Sequence, residues 1–172
     1  MNSDELLRKA AEALELVPIE SVWDDLVTHL GHTLNVDWAF VSKLLPGTET
    51  KLQTLAAWHR GRPVQDFEYQ LTAPFDDTPA QDLCVHVRDA RNHVPNSWLK
   101  RVKAESFGQI KLIGSLGQVR GLLGIAHSQP LERADLVEAV LRIYAFKAVI
   151  ELERELADER FCRQLLDSYN TR

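Results

Sequence analysis

With 172 residues, 45% of them apolar and 26% charged, the chain has the makeup of one globular domain with a sizeable core and is too apolar for intrinsic disorder. A net charge of −5 and the lack of any Lys/Arg run exclude a general nucleic-acid binder; the densest basic cluster, Lys100-Arg101-Val102-Lys103, reads as the solvated side of a short helix. No apolar run approaches the ~20 residues of a membrane-spanning helix. The acidic start, Met1 to Glu5, is not a secretory leader. Two distant cysteines, Cys84 and Cys162, do not make a disulfide framework, and a reducing cytoplasmic setting is expected.

Leu6, Ala10, Ala13 and Val17 follow helical spacing and predict a first helix over 4–17, stopped by Pro18. Ser21-Val22-Trp23-Asp24 resembles a capping box with Asp in place of Glu. It opens a second helix whose stripe is Trp23, Leu26, Val27, Leu30 and Leu34. The period then changes to two. Residues 38–44 read as a strand, Pro46-Gly47-Thr48 as a turn, and 51–60 as a second strand with Leu52, Thr54, Ala56 and Trp58 on one face. Gly61-Arg62-Pro63 breaks that strand, and Phe67, Tyr69 and Leu71 mark a third.

Residues 72–105 carry Pro74, Pro79 and Pro95 and lose any long period. They predict an ordered crossover with short helices near 78–84 and 97–104, because Leu83, Val85, Val94, Trp98 and Leu99 need burial. Two strands follow, 107–113 and 119–127, joined by a hairpin turn at 115–118. Gly121 and Gly124 mark a bulge or a close backbone approach in the second. A final helix is predicted from Glu132 to Ser168. Its seam of Ala145, Val149, Leu152, Leu156, Glu159, Arg163 and Leu166 has coiled-coil spacing, interrupted at Glu159 and Arg163, and predicts a partner helix.

The stretch Leu34-Asn35-Val36-Asp37-Trp38-Ala39-Phe40-Val41 resembles the entry into the first strand of GAF domains, the PAS-like sensory modules of bacterial signalling proteins. Ser106-Phe107-Gly108-Gln109-Ile110, then Gly117-Gln118-Val119-Arg120-Gly121-Leu122-Leu123-Gly124, is similar to that family's strand–turn–strand ending. Pro130-Leu131 before the last helix is similar to its exit. The resemblance implies an α+β fold: an antiparallel sheet of five to six strands, with the N- and C-terminal helices on one face and short helices and loops over the other. It divides the chain into an N-terminal helix (1–20), a GAF-like domain (21–152) and a C-terminal signalling helix extension (153–172). It also implies a regulatory sensory module that binds a small molecule, dimerises through its terminal helices, or does both. The departures are specific. The Asn-Lys-Phe-Asp-Glu motif of cyclic-nucleotide relatives is absent. Val85 separates Cys84 from His86, where bilin-binding relatives have Cys-His, and Phe75 stands where other relatives carry a cysteine.

The crossover face is expected to hold a pocket, with Trp58, Phe75, Cys84, His86 and Trp98 as its wall. Arg88 or Arg91 could anchor an anion there, though both read as surface charges. Cys84, His86 and His93 match no standard zinc spacing and read as a buried thiol beside surface histidines, so no metal is expected, and the sequence leaves any cofactor unknown. Asp76-Asp77 reads as a helix cap in preference to a cation site. No nucleophile elbow, zinc-protease motif or phosphate loop occurs, and no enzymatic activity is expected. Two other readings stay open: a purely structural dimerisation module with a collapsed core, and a thiol-dependent enzyme, for which only Cys84 is placed.

Overall fold

A computed structural model describes residues 20–70, 82–94 and 97–171. The predicted helix over 4–17, Phe75, the Asp76-Asp77 pair and most of the predicted helix over 78–84 lie outside these residues. In chain order the elements are α1 (Glu20–Leu34), β1 (Trp38–Leu44), β2 (Lys51–His59), β3 (Arg62–Val64), β4 (Glu68–Gln70), β5 (Leu83–His86), α2 (Ala90–His93), α3 (Ser97–Arg101), β6 (Ser106–Ile113), β7 (Val119–His127) and α4 (Ala134–Asn170). The strands form one antiparallel sheet in the order β3-β2-β1-β7-β6-β5, and β4 also pairs with β2. The fold is α+β, as predicted, with seven described strands in place of five to six.

The added strands have local causes. Arg60 and Gly61 both take left-handed backbone, so the break after β2 is a tight turn. It sends Arg62–Val64 back to pair with Ala57 to His59. Leu83–His86, placed partly in a helix by the sequence pattern, is the edge strand paired with β6. α3 stops at Arg101, short of the predicted end at 104, and Lys103 follows in left-handed backbone.

One face of the sheet is sealed by the two longer helices. Trp23, Leu26, Val27 and Leu30 of α1, together with Val137, Leu141, Ala145, Ala148 and Leu152 of α4, pack on Ala39, Val41, Ile110, Leu112, Leu123 and Ile125. Each fully buried leucine there contributes about 1.5–3 kcal/mol by leaving water. Gly108 admits α4: a Cβ at that position would sit 2.9 Å from Leu141. α1 runs antiparallel to α4, since Trp23 Nε1 donates to Glu155 Oε1 (2.7 Å) while Thr33 and Tyr144 hydroxyls meet at 3.0 Å.

A bulge in β2 corrects the predicted faces. Val41 pairs with Ala56 but Ser42 pairs with Thr54, leaving Leu55 as the extra residue. An inserted residue shifts the alternation by one. Leu52 and Thr54 therefore lie on the crossover face, while Ala56 and Trp58 point at the helices. Thr54 then serves as a backbone substitute at the bulge: its Oγ1 accepts from Phe67 N–H at 2.8 Å. Thr54→Val is expected to cost about 1–2 kcal/mol in a denaturant melt by orphaning that N–H. Thr54→Ser should stay near the parent protein, and equal losses in both variants would show that the hydroxyl has no such role.

Candidate functional site

The sheet face turned away from α1 and α4 is the candidate site, because it carries the half-buried side chains Trp38, Tyr69, Cys84, His86, Trp98 and Gln109 without a long helix laid over them. β1 supplies Trp38, Phe40 and Ser42, which alternate with the core residues Ala39 and Val41. Phe40 pairs with Gly124 across β1 and β7, and Cβ atoms at Gly124 would collide with the Phe40 ring, so that glycine is the seat of the ring. β6 adds Phe107 and Gln109, and β5 brings His86 opposite Phe107 and Cys84 opposite Gln109. α2 and α3 close one end of this face. Ala90, Leu99 and Ala104 pack with Phe40, Ala57, Phe107 and Ala126 as a second core.

An aromatic cluster spans the join. Trp38 stacks on His59 with ring centroids 3.9 Å apart, and Trp98 meets Trp38 and Phe40 edge-on at 5.2 and 5.9 Å. Such pairs are worth about 0.5–1.5 kcal/mol each beyond their area. The segment feeding α2 is held by polar groups. Ser106 Oγ lies 2.9 Å from the Val87 carbonyl and 2.7 Å from that of Gln129, and Glu105 accepts from the Asp89 N–H at 3.0 Å. Asp89 itself takes left-handed backbone, which an aspartate tolerates better than most residues.

Farther along the same face, Tyr69 Oη donates to the fully buried Ser42 Oγ at 2.8 Å. Burial pushes the phenol up to about 12, against a smaller opposing effect of Ser42. Tyr69 is thus a fixed, neutral hydroxyl. Burial also raises the Cys84 thiol, which lowers its thiolate fraction and its reactivity. The His86 and His93 rings stack with centroids 6.1 Å apart, and His93 Nε2 lies 3.4 Å from Asp89 Oδ2. Among the described residues no group of three or more His, Cys, Asp or Glu is placed to hold a metal ion. Cys162 is exposed on α4, far from this face.

Of the five residues expected to form a pocket wall, Cys84, His86 and Trp98 share this face and are each half-buried. Trp58 does not: it is buried on the helical side, against Gly31 and edge-on to His32 at 5.3 Å. The bulge at Leu55 is the reason, and strict alternation along β2 hides it. Phe75 lies outside the described residues. The sequence reading left out Ser42, Tyr69 and Gln109. Ser42 is two residues from Phe40 on the same strand face, and that parity was the available signal.

The predicted α4 seam also needs correction. Ala145 and Leu152 are buried against the chain's own sheet, and Val149 packs beside them. Their spacing serves the domain core. Farther along that seam Leu156 is half-buried and Leu166 exposed, and a second apolar line is left open on α4.

No protein-family model and no curated protein matches the chain. Solved structures do match. The domain of a putative two-component sensor histidine kinase protein from Sinorhizobium meliloti aligns with TM-score 0.62 at 16% identity, over 85% of this chain and 97% of that one. The blue-light absorbing form of the Thermosynechococcus elongatus PixJ GAF-domain aligns with TM-score 0.66 at 14% identity, over 87% and 93%. The GAF domain of an Acinetobacter phosphoenolpyruvate-protein phosphotransferase gives TM-score 0.64 at 15% identity, over 93% and 99%. Helices on one face of an antiparallel sheet, a crossover on the other, and near-complete alignment to these domains agree: the chain has the GAF fold.

Proposed function

We propose that this chain is a regulatory sensory domain of a cytoplasmic signalling protein, which takes up a small molecule on the crossover face and pairs with a second copy through its helices. The carrying observation is the inequality of the two sheet faces. One face is sealed by α1 and α4, while the other presents half-buried Cys84, His86 and Trp98 and, farther along the same face, the Ser42–Tyr69 hydroxyl pair. A mostly aromatic wall with a few fixed polar groups suits a small organic ligand. The fold is shared with a domain of a putative sensor histidine kinase protein and with the PixJ GAF-domain in its blue-light absorbing form. A ligand that prefers one arrangement of the crossover would shift its population, and α4, rooted on the same sheet, would carry the change. Burial raises the Cys84 thiol, which disfavours thiolate chemistry on this face and supports a binding role over a thiol-dependent one.

Native mass spectrometry of the purified protein tests the reading. The expected spectrum carries a non-covalent mass beyond the polypeptide, reduced several-fold in Trp98→Ala. A bare polypeptide mass, with melting unchanged by a metabolite panel, would leave only the structural dimer.

A further inference from the structure

The open side of α4 carries one long apolar line. Ala139, Ile143, Phe146, Ile150, Arg154, Ala157, Phe161, Leu165 and Ser168 follow steps of four and three along the helix, and all are exposed. Ile143, Phe146, Ile150, Phe161 and Leu165 are 68%, 72%, 46%, 62% and 44% open. The line repeats every eleven residues, so it runs nearly straight along the helix. It continues past Leu152, the last buried residue of α4, onto a stretch with no described cover.

We propose that this line is the contact between two copies of the chain, arranged antiparallel about a two-fold axis near Arg154. The inference rests on the pairing clause of the proposed function and adds which face pairs and in which direction. Three observations favour this occupant. First, the line is palindromic. Turned about residues 153 and 154, Ile143 meets Leu165, Phe146 meets Phe161, and Ile150 meets the smaller Ala157. A two-fold contact requires such self-complementarity.

Second, the charges agree. The two Arg154 side chains meet near the axis in either direction and do not decide it, but the antiparallel pair sets exposed Lys147 near the level of the partner's exposed Asp158. A parallel pair would set Lys147 on Lys147 and Asp158 on Asp158.

Third, the antiparallel arrangement lays each uncovered helix end on the other copy's folded half. Beside Phe146 lies an open groove of about 580 Å³, lined by Ile110, Ile113, Ala145, Val149 and Ile150. In the antiparallel pair the partner's Phe161 is level with Phe146 and so with that groove, whereas in a parallel pair it lies about 22 Å farther along the helix. At roughly 200 Å² for a fully open large side chain, the five named residues leave on the order of 600 Å² per copy. A symmetric pair then removes on the order of 1,200 Å², at the lower edge of specific interfaces.

Spin labels on the full chain test the direction. The exposed native Cys162, labelled in a Cys84→Ser background, is expected about 25–30 Å from its mate, and a label at Ser168→Cys in a Cys84→Ser/Cys162→Ser background about 45 Å. Both distances within about 20 Å would overturn the antiparallel contact while keeping the dimer. A monomer at high concentration would overturn the dimer altogether and give the line to another occupant, such as residues 4–17 of the same chain. Phe161→Glu, tested in the otherwise native chain, provides a second readout. It is expected to weaken pairing at least tenfold without altering the circular dichroism spectrum. Unchanged pairing in that variant would remove the helix end from the interface.

Discussion

Gly31→Val is expected to lower the stability of the domain by about 3 kcal/mol, read from urea melts, through a collision inside the helix–sheet core. In isolation α1 would gain from almost any other residue at this position, because glycine is the weakest ordinary helix former after proline. Here the absent side chain is a packing device. The Trp58 ring occupies the space a Cβ would take, and the ring itself is only 5% exposed. Valine adds two more branches in a helix that already restricts its rotamers. Gly31→Ala should cost less, about 1–2 kcal/mol, since part of the clash is offset by helix propensity. Trp58→Ala alone should cost about 3–5 kcal/mol as a cavity. Combined with Gly31→Val it should cost at least about 1 kcal/mol less than the two losses added, because each change relieves the other. Strict additivity would show that the two residues do not share that space.

Asp37→Asn is expected to cost about 2 kcal/mol at neutral pH and almost nothing near pH 2. Asp37 sits where three strand ends meet. It accepts from the Ser128 N–H at 2.9 Å and from Arg60 Nε at 3.2 Å, with His127 Nδ1 3.4 Å away. Burial by itself would raise this carboxyl. The hydrogen bonds from Ser128 and Arg60, with a smaller effect of His127, outweigh it and hold the group down at about 2 against an ordinary 3.8. A carboxyl depressed on folding stabilises the folded state above its unfolded value. That contribution is lost as pH falls from about 4 through about 2. The side chain is only 15% exposed, so solvent screening removes little of the effect. Melts of the parent and Asp37→Asn should therefore converge in acid; a gap of constant size from pH 7 to pH 2 would sink the assignment. Asparagine keeps an acceptor for Ser128, which makes the charge, and not the shape, the tested quantity.

Local pattern determined the type of most elements, and the family resemblance supplied the fold class; β3 and β5 were not legible in the pattern. The stripe Trp23, Leu26, Val27 and Leu30 is buried as its 3.6-residue spacing predicts, and the alternation in 38–44 and 107–113 matches β1 and β6. These are short-range properties: a helix or strand repeats its burial every few residues, and the sequence displays that repeat directly. It also assigned Cys84, His86 and Trp98 to the face opposite the helices, where alternation along β5 and the packing of α3 put them, but it assigned Trp58 there as well. Tertiary contact decided the rest. One extra residue at Leu55 reverses the face of Trp58, and no composition signal distinguishes that bulge from a regular strand. The apolar positions of α4 form two lines, and only the position of the sheet determines which is core. Ala145 and Leu152 are spent inside the domain, and Phe146 and Phe161 remain outside. A helix with apolar residues on two sides does not reveal its buried side until the sheet is in place beside it.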